Sequence, residues 1–234
     1  MKQLFMCGKN TVLDAIRNKI KINCIYVTPN FSHTTEMLNS VSCRVVSKEK
    51  QFLDALTNND NHQGIVAELT NFPIYPLEAM NKHRPETILV LDHIQDVHNF
   101  GAIIRTANIF GIDTIIFPKD RAADINSTVL KISSGGFLGI KFIKVSNIAT
   151  ALRKLKDWSY WIYSTTLSEK SQSISNVKFN KPAVIVVGNE EKGISKAVEK
   201  ESDCLIHIPQ FGSVQSLNVS VATGIVLYEA TRKI

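Results

Sequence analysis

The stretch HIPQFGSVQSLNVSVATGIVLYEA, residues 207–230, contains the end of an apolar strand, a glycine-containing loop and an apolar helix. The strand is expected to end at Pro209 and the helix to begin near Ser216. Polar side chains are concentrated in the first turn, at Ser216, Asn218 and Ser220, where the free backbone amides of a helix N-terminus favour electron-rich partners. Later residues of the helix predict a buried face: Val221, Ile225 and Tyr228. The stretch therefore indicates either a ligand-binding helix start or a plain capped C-terminal helix.

Short apolar runs, including the one that ends at Pro209, alternate with helical patterns along the second half of the chain. The predicted strands are ILVLD (88–92), DTIIFP (113–118), KFIKVS (141–146), YWIYST (160–165), AVIVVG (183–188) and CLIHIP (204–209). Near-continuous apolar strands that alternate with helices are typical of a parallel sheet covered on both faces. Ligands on such sheets bind beyond the carboxyl ends of the strands, so chemistry is expected in the loops that follow them.

The first of these loops is DHIQDVHNFGAIIRTANIFGI, residues 92–112. Asn99 is predicted to cap a helix. Apolar residues at helical spacing predict the buried stripe of that helix: Phe100, Ile103, Ile104, Ala107 and Phe110. Arg105 lies beside the stripe, where its guanidinium could bind a phosphate. The alternative is an ordinary cap followed by a solvent-exposed arginine.

The second loop is VVGNEEKGI, residues 186–194. Gly188, at the end of a predicted strand, would let a ligand approach the backbone closely. Glu190 or Glu191 would then stand over the pocket, and the alternative is an ordinary charged turn. The sequence contains no GxGxxG and no GxxxxGK[ST] motif, which argues against a dinucleotide-binding Rossmann loop and against a phosphate-binding P-loop.

Three regions are predicted along the chain. Residues 1–69 read as a small α/β unit, with strand-like runs CIYVT (24–28), CRVVS (43–47) and GIVAEL (64–69). Residues 70–86 contain three prolines, which cannot sit inside a continuing helix or a central strand, and this segment is predicted to be a linker. Residues 87–234 form the larger α/β domain.

The charge distribution points weakly to nucleic acid. The formal net charge is +6 and the sequence pI is about 9.1. Residues 1–50 hold eight Lys and Arg against three Asp and Glu, whereas the rest of the chain is nearly balanced. A mild basic excess favours a polyanionic partner, although many basic proteins bind no nucleic acid.

Metal and membrane sites are not expected. Four cysteines lie far apart, without the spacing of a zinc site, and are predicted to be free thiols. No apolar run approaches the roughly 20 residues of a membrane-spanning helix, and the first residues do not resemble a signal peptide. The expected location is the cytoplasm.

Three stretches, in this order, resemble the three motifs of the SpoU (TrmH) branch of the SPOUT methyltransferases: NFGAIIRTA (99–107), VVGNEEKGI (186–194) and IPQFGSVQSLNVSVATGI (208–225). The segment SLNVSVA is highly specific, and the resemblance covers residues 87–234. Within the branch, PKDRAADINSTVLKISSGG (118–136) and HQGIVAEL (62–69) are similar to the RlmB-type ribosomal RNA enzymes.

The resemblance implies an α/β fold whose parallel sheet carries a C-terminal trefoil knot, an exception to unknotted topology. A small L30e-like α/β domain that binds RNA would precede it. The cofactor would be S-adenosylmethionine, contacted by Gly188, Ile208 and Leu217. Enzymes of this branch are homodimers whose RNA site uses both subunits, and they methylate a ribose 2′-hydroxyl.

The resemblance also implies a set of active-site residues: Asn99, Arg105, Glu190, Ser216 and Asn218. Arg105 is an awkward general base, because a guanidinium almost never loses its proton in a protein. Phosphate binding and stabilisation of the developing alkoxide suit it better, with a phosphate oxygen or water taking the proton. Glu190 is expected to orient Arg105 or the cofactor loop. Ser216 and Asn218 are expected to position backbone and ribose.

Two positions depart from the family pattern: Asn189 stands where a small residue is common, and Gln210 where methionine is common. Both flank the cofactor loops. The leading prediction is 2′-O-methylation of a guanosine in large-subunit ribosomal RNA. The alternatives are a transfer RNA substrate, an inactive RNA-binding ribosome assembly protein, and an unrelated nucleotide-dependent enzyme such as a dehydrogenase.

Overall fold

The computed structural model describes residues 4–31, 38 and 41–232. The chain divides into two compact units. Unit 1 comprises Met1–Phe72 and Ile125–Gly139, and unit 2 comprises Pro73–Asp124 and Ile140–Ile234. Within the described residues, no helix combines the length and apolar character that a membrane crossing requires.

Strands and helices alternate through most of the described residues. The strands are β1 (Leu4–Cys7), β2 (Ile22–Val27), β3 (Arg44–Ser47), β4 (Ile65–Leu69), β5 (Ile74–Tyr75), β6 (Thr87–Asp92), β7 (Thr114–Pro118), β8 (Lys141–Val145), β9 (Trp161–Thr165), β10 (Gln172–Ser173), β11 (Ala183–Gly188) and β12 (Cys204–His207). The helices are α1 (Lys9–Arg17), α2 (Lys50–Thr57), α3 (Ala79–His83), α4 (Val97–Ile109), α5 (Ser127–Ile132), α6 (Ile148–Asp157), α7 (Lys196–Glu201) and α8 (Val219–Thr231).

Unit 1 is built on a four-stranded sheet in the order β1-β4-β2-β3. Every residue of β4 is buried, and the strand runs antiparallel to both of its neighbours. Helix α5 belongs to this unit although its sequence lies beyond residue 120. The Phe5 amide donates to Ser127 Oγ at 3.2 Å, and Lys131 Nζ lies 2.5 Å from Asp60 Oδ1. These contacts join residues more than 70 positions apart, which explains why no local pattern predicts them.

Unit 2 contains an eight-stranded sheet in the order β10-β12-β9-β11-β6-β7-β8-β5, and all of its strand pairs are parallel. The predicted parallel sheet and its predicted strands are confirmed, with small differences at the strand ends. Strands β6, β7 and β11 are buried along their whole length, as expected for a sheet covered on both faces. The trefoil knot stays a prediction.

The segment predicted as a linker, residues 70–86, contains regular structure in unit 2. Strand β5 pairs with β8 at the edge of the sheet, and prolines 73 and 76 flank it. An edge strand tolerates neighbouring proline because one of its sides needs no ladder hydrogen bonds. Met80, in the short helix α3, is fully buried in the unit 2 core.

Two predictions about helix starts are wrong. Helix α4 is capped by Asp96, whose carboxylate accepts from the Asn99 amide at 2.8 Å, so Asn99 is not the cap. Helix α8 begins at Val219 and is capped by Asn218, which leaves Ser216 in the preceding loop. In both cases a carbonyl or carboxylate oxygen closer to the first helical turn satisfies the free amides.

The predicted buried face of α8 is also wrong. Val221 and Tyr228 are 51% and 54% exposed. The residues that pack inward are Val219, Thr223, Val226, Leu227 and Ala230. The helix is apolar on nearly all sides, so the sequence pattern alone does not identify which side faces the core of unit 2.

Candidate active site

A cavity of about 760 Å³ lies at the carboxyl edge of the unit 2 sheet, where β9, β11 and β12 end. Because these strands are parallel, the loops that follow them meet at this edge. The residues predicted to contact a cofactor all line the cavity: Gly188, Ile208 and Leu217. Glu190 and Ser216, from the predicted catalytic set, line it as well.

Hydrogen bonds connect three of the predicted catalytic residues. Asn99 Nδ2 donates to Glu190 Oε1 at 2.7 Å, and Asn218 Nδ2 donates to Asn99 Oδ1 at 2.9 Å. Ser220 in turn donates from its amide and its hydroxyl to Asn218 Oδ1, at 2.9 and 2.5 Å. We call Asn99, Glu190, Asn218 and Ser220 the amide network. It links Asn99 in the first turn of α4 and Glu190 in the loop after β11 to two residues at the start of α8.

The helix packing of unit 2 keeps this network together. Helices α4 and α8 are in contact, and a Cβ built on Gly224 of α8 would lie 3.5 Å from Thr106 of α4. The rings of Phe110 and Tyr228 meet edge-on, with centroids 6.3 Å apart. Because Asp96 supplies the cap of α4, the Asn99 side chain is available to bridge Glu190 and Asn218.

Arg105 is placed differently from the rest of the predicted set. It is exposed on α4, and within the described part of the chain no ion pair or side-chain hydrogen bond holds it. Glu190, which was expected to orient either Arg105 or the cofactor loop, lies in that loop and bonds to Asn99. The guanidinium therefore keeps all of its donors available for a ligand.

The loop after β11 folds back on itself, and its own backbone explains the need for Gly188. A Cβ at this position would collide with the backbone of Gly193 and Ile194. Sequence reasoning assigned this glycine to the close approach of a ligand. The atoms nearest to it are instead backbone atoms of the same loop, where the loop turns back past Gly188. Asn189 and Gly193 close the loop with two backbone hydrogen bonds, at 3.0 and 2.8 Å.

Sequence reasoning missed His207, which lies on the cavity wall. Its Nδ1 is 2.9 Å from Ser171 Oγ, and that hydroxyl lies 2.5 Å from the Ser168 carbonyl oxygen. Since the hydroxyl has one proton to donate to the carbonyl, Nδ1 is the donor to Ser171 and Nε2 is left as an acceptor in the neutral ring. A lone histidine at the end of a strand carries no motif, so only the fold identifies it.

Comparison with known proteins shows the class of the chain. Residues 86–228 match the model of the SpoU rRNA methylase family, and residues 5–75 match a model described as RNA 2′-O ribose methyltransferase substrate binding. The chain belongs to the SpoU rRNA methylase family. It is therefore an S-adenosylmethionine-dependent RNA 2′-O-methyltransferase.

Individual relatives resemble most of the chain. An RlmB protein of Nitrosomonas europaea, named 23S rRNA (guanosine-2′-O-)-methyltransferase, is 35% identical over 202 residues, covering 84% of this chain and 76% of the relative. An uncharacterised tRNA/rRNA methyltransferase of Borreliella burgdorferi is 36% identical over 227 residues, covering 91% and 99%. The crystal structure of an AdoMet-bound rRNA methyltransferase of Sinorhizobium meliloti superposes with a TM-score of 0.86 at 27% identity, covering 97% of this chain and 86% of that one.

The cavity suits S-adenosylmethionine in size and in chemistry. Its volume lies within the range of roughly 300–1,000 Å³ that is usual for small-molecule sites. Ile208 and Leu217 give an apolar surface for an adenine ring, and the carboxylates of Glu190 and Glu191 complement a cofactor with a positive sulfonium and ammonium. Among the described residues, no cluster of histidine, cysteine or acidic side chains suits a metal ion.

Proposed function

We propose that this protein methylates the ribose 2′-oxygen of a guanosine in large-subunit ribosomal RNA. The observation that carries the proposal is the amide network, which joins the three motif loops beside a cavity fit for the cofactor. The guanosine and the ribosomal RNA come from the similarity to the 23S rRNA enzyme of Nitrosomonas europaea. An RNA substrate also implies a cytoplasmic location.

The cofactor, when bound, supplies an electrophilic methyl group. The chain then has to place a ribose oxygen in line with that group, a contribution that can reach about 7–11 kcal/mol for well-oriented reactants. We assign Gly188, Ile208 and Leu217 to holding the cofactor. Ser216 and Asn218 position the ribose and the loop before α8.

We assign Arg105 to binding the RNA substrate. Its exposed guanidinium binds an RNA phosphate and stabilises the negative charge that develops on the attacking oxygen. It does not act as the base, because a guanidinium keeps its proton in proteins. The proton leaves through a phosphate oxygen or a water molecule.

Glu190 and Asn99 act together in this scheme. The carboxylate of Glu190 accepts from Asn99, and Asn99 accepts from Asn218, so each side chain restricts the rotamer of the next. Restricted rotamers at the cofactor edge favour a single orientation of the ribose. We therefore assign Asn99 and Glu190 to positioning.

A homodimer is part of the proposal. Three large apolar residues of α4 and α8 are more than half exposed in the single chain: Ile109, Val221 and Tyr228, at 71%, 51% and 54%. Such residues on two packed helices are typical of a surface that another protein covers. A second copy of this chain is the proposed occupant, and the RNA site would then draw on both subunits.

Residues 1–69 are proposed to bind the RNA substrate and residues 87–234 to form the catalytic domain; residues 70–86 connect them and also supply β5 and α3 to unit 2. Support comes from the substrate-binding model that matches residues 5–75 and from the basic excess of residues 1–50. The trefoil knot is proposed for the C-terminal part of the catalytic domain.

Mapping ribose methylation across all ribosomal and transfer RNA, with and without this protein, tests the substrate. We expect the loss of one guanosine mark in large-subunit RNA when the protein is absent. An unchanged ribosomal map together with a lost transfer RNA mark would show that transfer RNA is the substrate. If no mark changes and the purified protein fails to bind S-adenosylmethionine, the chain is an RNA-binding assembly protein instead.

A further inference from the structure

Asn189 makes more contacts than a residue at a simple turn requires. Its Oδ1 accepts from the amides of Glu191 and Lys192, at 3.0 and 3.2 Å. Its Nδ2 donates to the carbonyl oxygen of His93 at 3.1 Å. The side chain therefore shapes the loop after β11 and also ties this loop to the loop after β6.

The receiving carbonyl is itself held in an uncommon conformation. His93 has a φ of 63°, in the left-handed region that non-glycine residues seldom adopt. Its Nδ1 lies 2.6 Å from Oδ1 of Asp92, a carboxylate that is only 1% exposed. The other oxygen of Asp92 accepts from the Ser195 amide at 2.7 Å. Asp92 and His93 thus hold both ends of the loop that begins at Asn189.

Glu190 lies between these two attachments. It is the next residue after Asn189, it lines the cavity, and its carboxylate accepts from Asn99. Without the Asn189 contacts, the backbone on either side of Glu190 would lose three hydrogen bonds that restrict it. The Glu190 carboxylate would then sample positions beyond the reach of Asn99.

We propose that Asn189 is a positioning residue for methyl transfer, which acts by holding Glu190 in hydrogen-bond contact with Asn99. The proposal rests on the positioning role assigned above to Glu190 and Asn99. The hydrogen bond from Asn189 Nδ2 to the His93 carbonyl joins the loop that carries Glu190 to the loop that precedes the helix of Asn99. No direct contact of Asn189 with RNA is needed.

Two variants separate the contacts of Asn189. Asn189→Asp keeps an acceptor for the Glu191 and Lys192 amides but cannot donate to the His93 carbonyl. Asn189→Ala loses all three hydrogen bonds and adds no charge, so a change in the same direction in both variants excludes a charge effect. Asn147→Ala is the matched control, because it removes one asparagine hydrogen bond outside the cavity lining, which Asn147 Oδ1 accepts from the Thr150 amide at 2.9 Å.

We expect kcat to fall about tenfold in Asn189→Asp and further in Asn189→Ala, with the KM for RNA unchanged. In an Asn99→Ala background the further loss of kcat caused by Asn189→Ala should largely disappear, because residues that act through one network are not additive. Asn147→Ala should lower the melting temperature without changing kcat. Wild-type kcat in both Asn189 variants, or full additivity with Asn99→Ala, would overturn the proposal.

A second readout does not depend on the RNA substrate. The side-chain amide resonances of Asn99, followed by NMR in the full-length protein, should shift towards those of an amide without a carboxylate partner in both Asn189 variants and stay unchanged in Asn147→Ala. If wild-type protein methylates no RNA, the proposed substrate fails, and this spectrum still decides the role of Asn189. Unchanged Asn99 resonances in both variants would refute it.

Discussion

Asn99 and Arg105 lie on the same helix, α4, and the fold holds them in different ways. The Asn99 amide has a protein partner at each end, Glu190 and Asn218. Arg105 is exposed, and within the described residues it has no ion pair. An amide with a partner at each end orients its neighbours, whereas an arginine with all of its donors available can bind a phosphate in a bidentate manner.

Arg105→Lys tests the second role. Lysine keeps the charge but loses the planar fork, so we expect methyl transfer to slow by about 100-fold or more, the order found when one preorganised donor is removed. The melting temperature should stay unchanged, because the side chain is exposed. Arg153→Lys, an exposed arginine on α6, is the control and should keep full activity. Near-wild-type turnover in Arg105→Lys would reject both the phosphate-binding and the charge-stabilising role.

Helix α4 shows how an element delivers a site residue. The sequence predicts the helix and its buried stripe, and the structure confirms four of those residues in full: Phe100, Ile103, Ile104 and Ala107. The cap is Asp96, three residues before Asn99, because a cap must precede the first turn for its oxygen to reach the free amides. The asparagine is thereby left for the amide network.

Asp96→Ala removes this cap. We expect a loss of about 1 kcal/mol in the free energy of unfolding, together with a lower kcat, because fraying of the first turn moves Asn99. Denaturant unfolding and steady-state kinetics measure the two effects. Asn147→Ala removes the comparable cap of α6 and should lose similar stability with no loss of kcat. If the kcat of Asp96→Ala equalled that of Asn147→Ala, the first turn of α4 would have no role in catalysis.

The loop after β11 depends on a glycine for a reason internal to the element. A methyl group on Gly188 would collide with the backbone at Gly193, and backbone cannot rotate away as a side chain can. We expect Gly188→Ala to destabilise the protein by roughly 1–3 kcal/mol, the usual cost of overpacking, and to weaken S-adenosylmethionine binding measured by calorimetry. In Gly224→Ala the new methyl would meet Thr106 at an ordinary 3.5 Å, so this control should bind the cofactor normally. Normal binding by both variants would contradict the close-packing argument.

The whole molecule determines what the faces of α8 contact. The sequence predicts that Val221, Ile225 and Tyr228 are buried, and in the single chain Val221 and Tyr228 are about half exposed. A second copy of the chain would cover them. On that proposal the apolar pattern of the helix is explained by two surfaces, one that faces the core of unit 2 and one that faces the partner.

Val221→Glu combined with Tyr228→Glu tests the dimer. A carboxylate buried in an apolar interface is strongly disfavoured unless it is paired, so we expect the mass from analytical ultracentrifugation to fall from twice to once the chain mass. Methyl transfer should fall with it if the RNA site uses both subunits. Tyr75→Glu, at an exposed tyrosine of β5, should stay dimeric. A wild-type protein that sediments as a monomer would refute the proposed interface.

Local pattern was enough to predict the longer strands of the parallel sheet and the three loops that carry the family motifs, because strand and helix periodicity and turn residues depend on near neighbours. It did not predict the short edge strands β5 and β10 or strand β1. Only the tertiary structure decided the cap of α4, the inward face of α8, the place of α5 in unit 1 and the hydrogen bond from Asn189 to the His93 carbonyl. Each of these depends on which surfaces meet in the folded chain or on which of several nearby polar groups reaches an amide. The Asn99–Glu190 and Asn99–Asn218 bonds span 91 and 119 positions of sequence, so the chain must fold before those partners can meet.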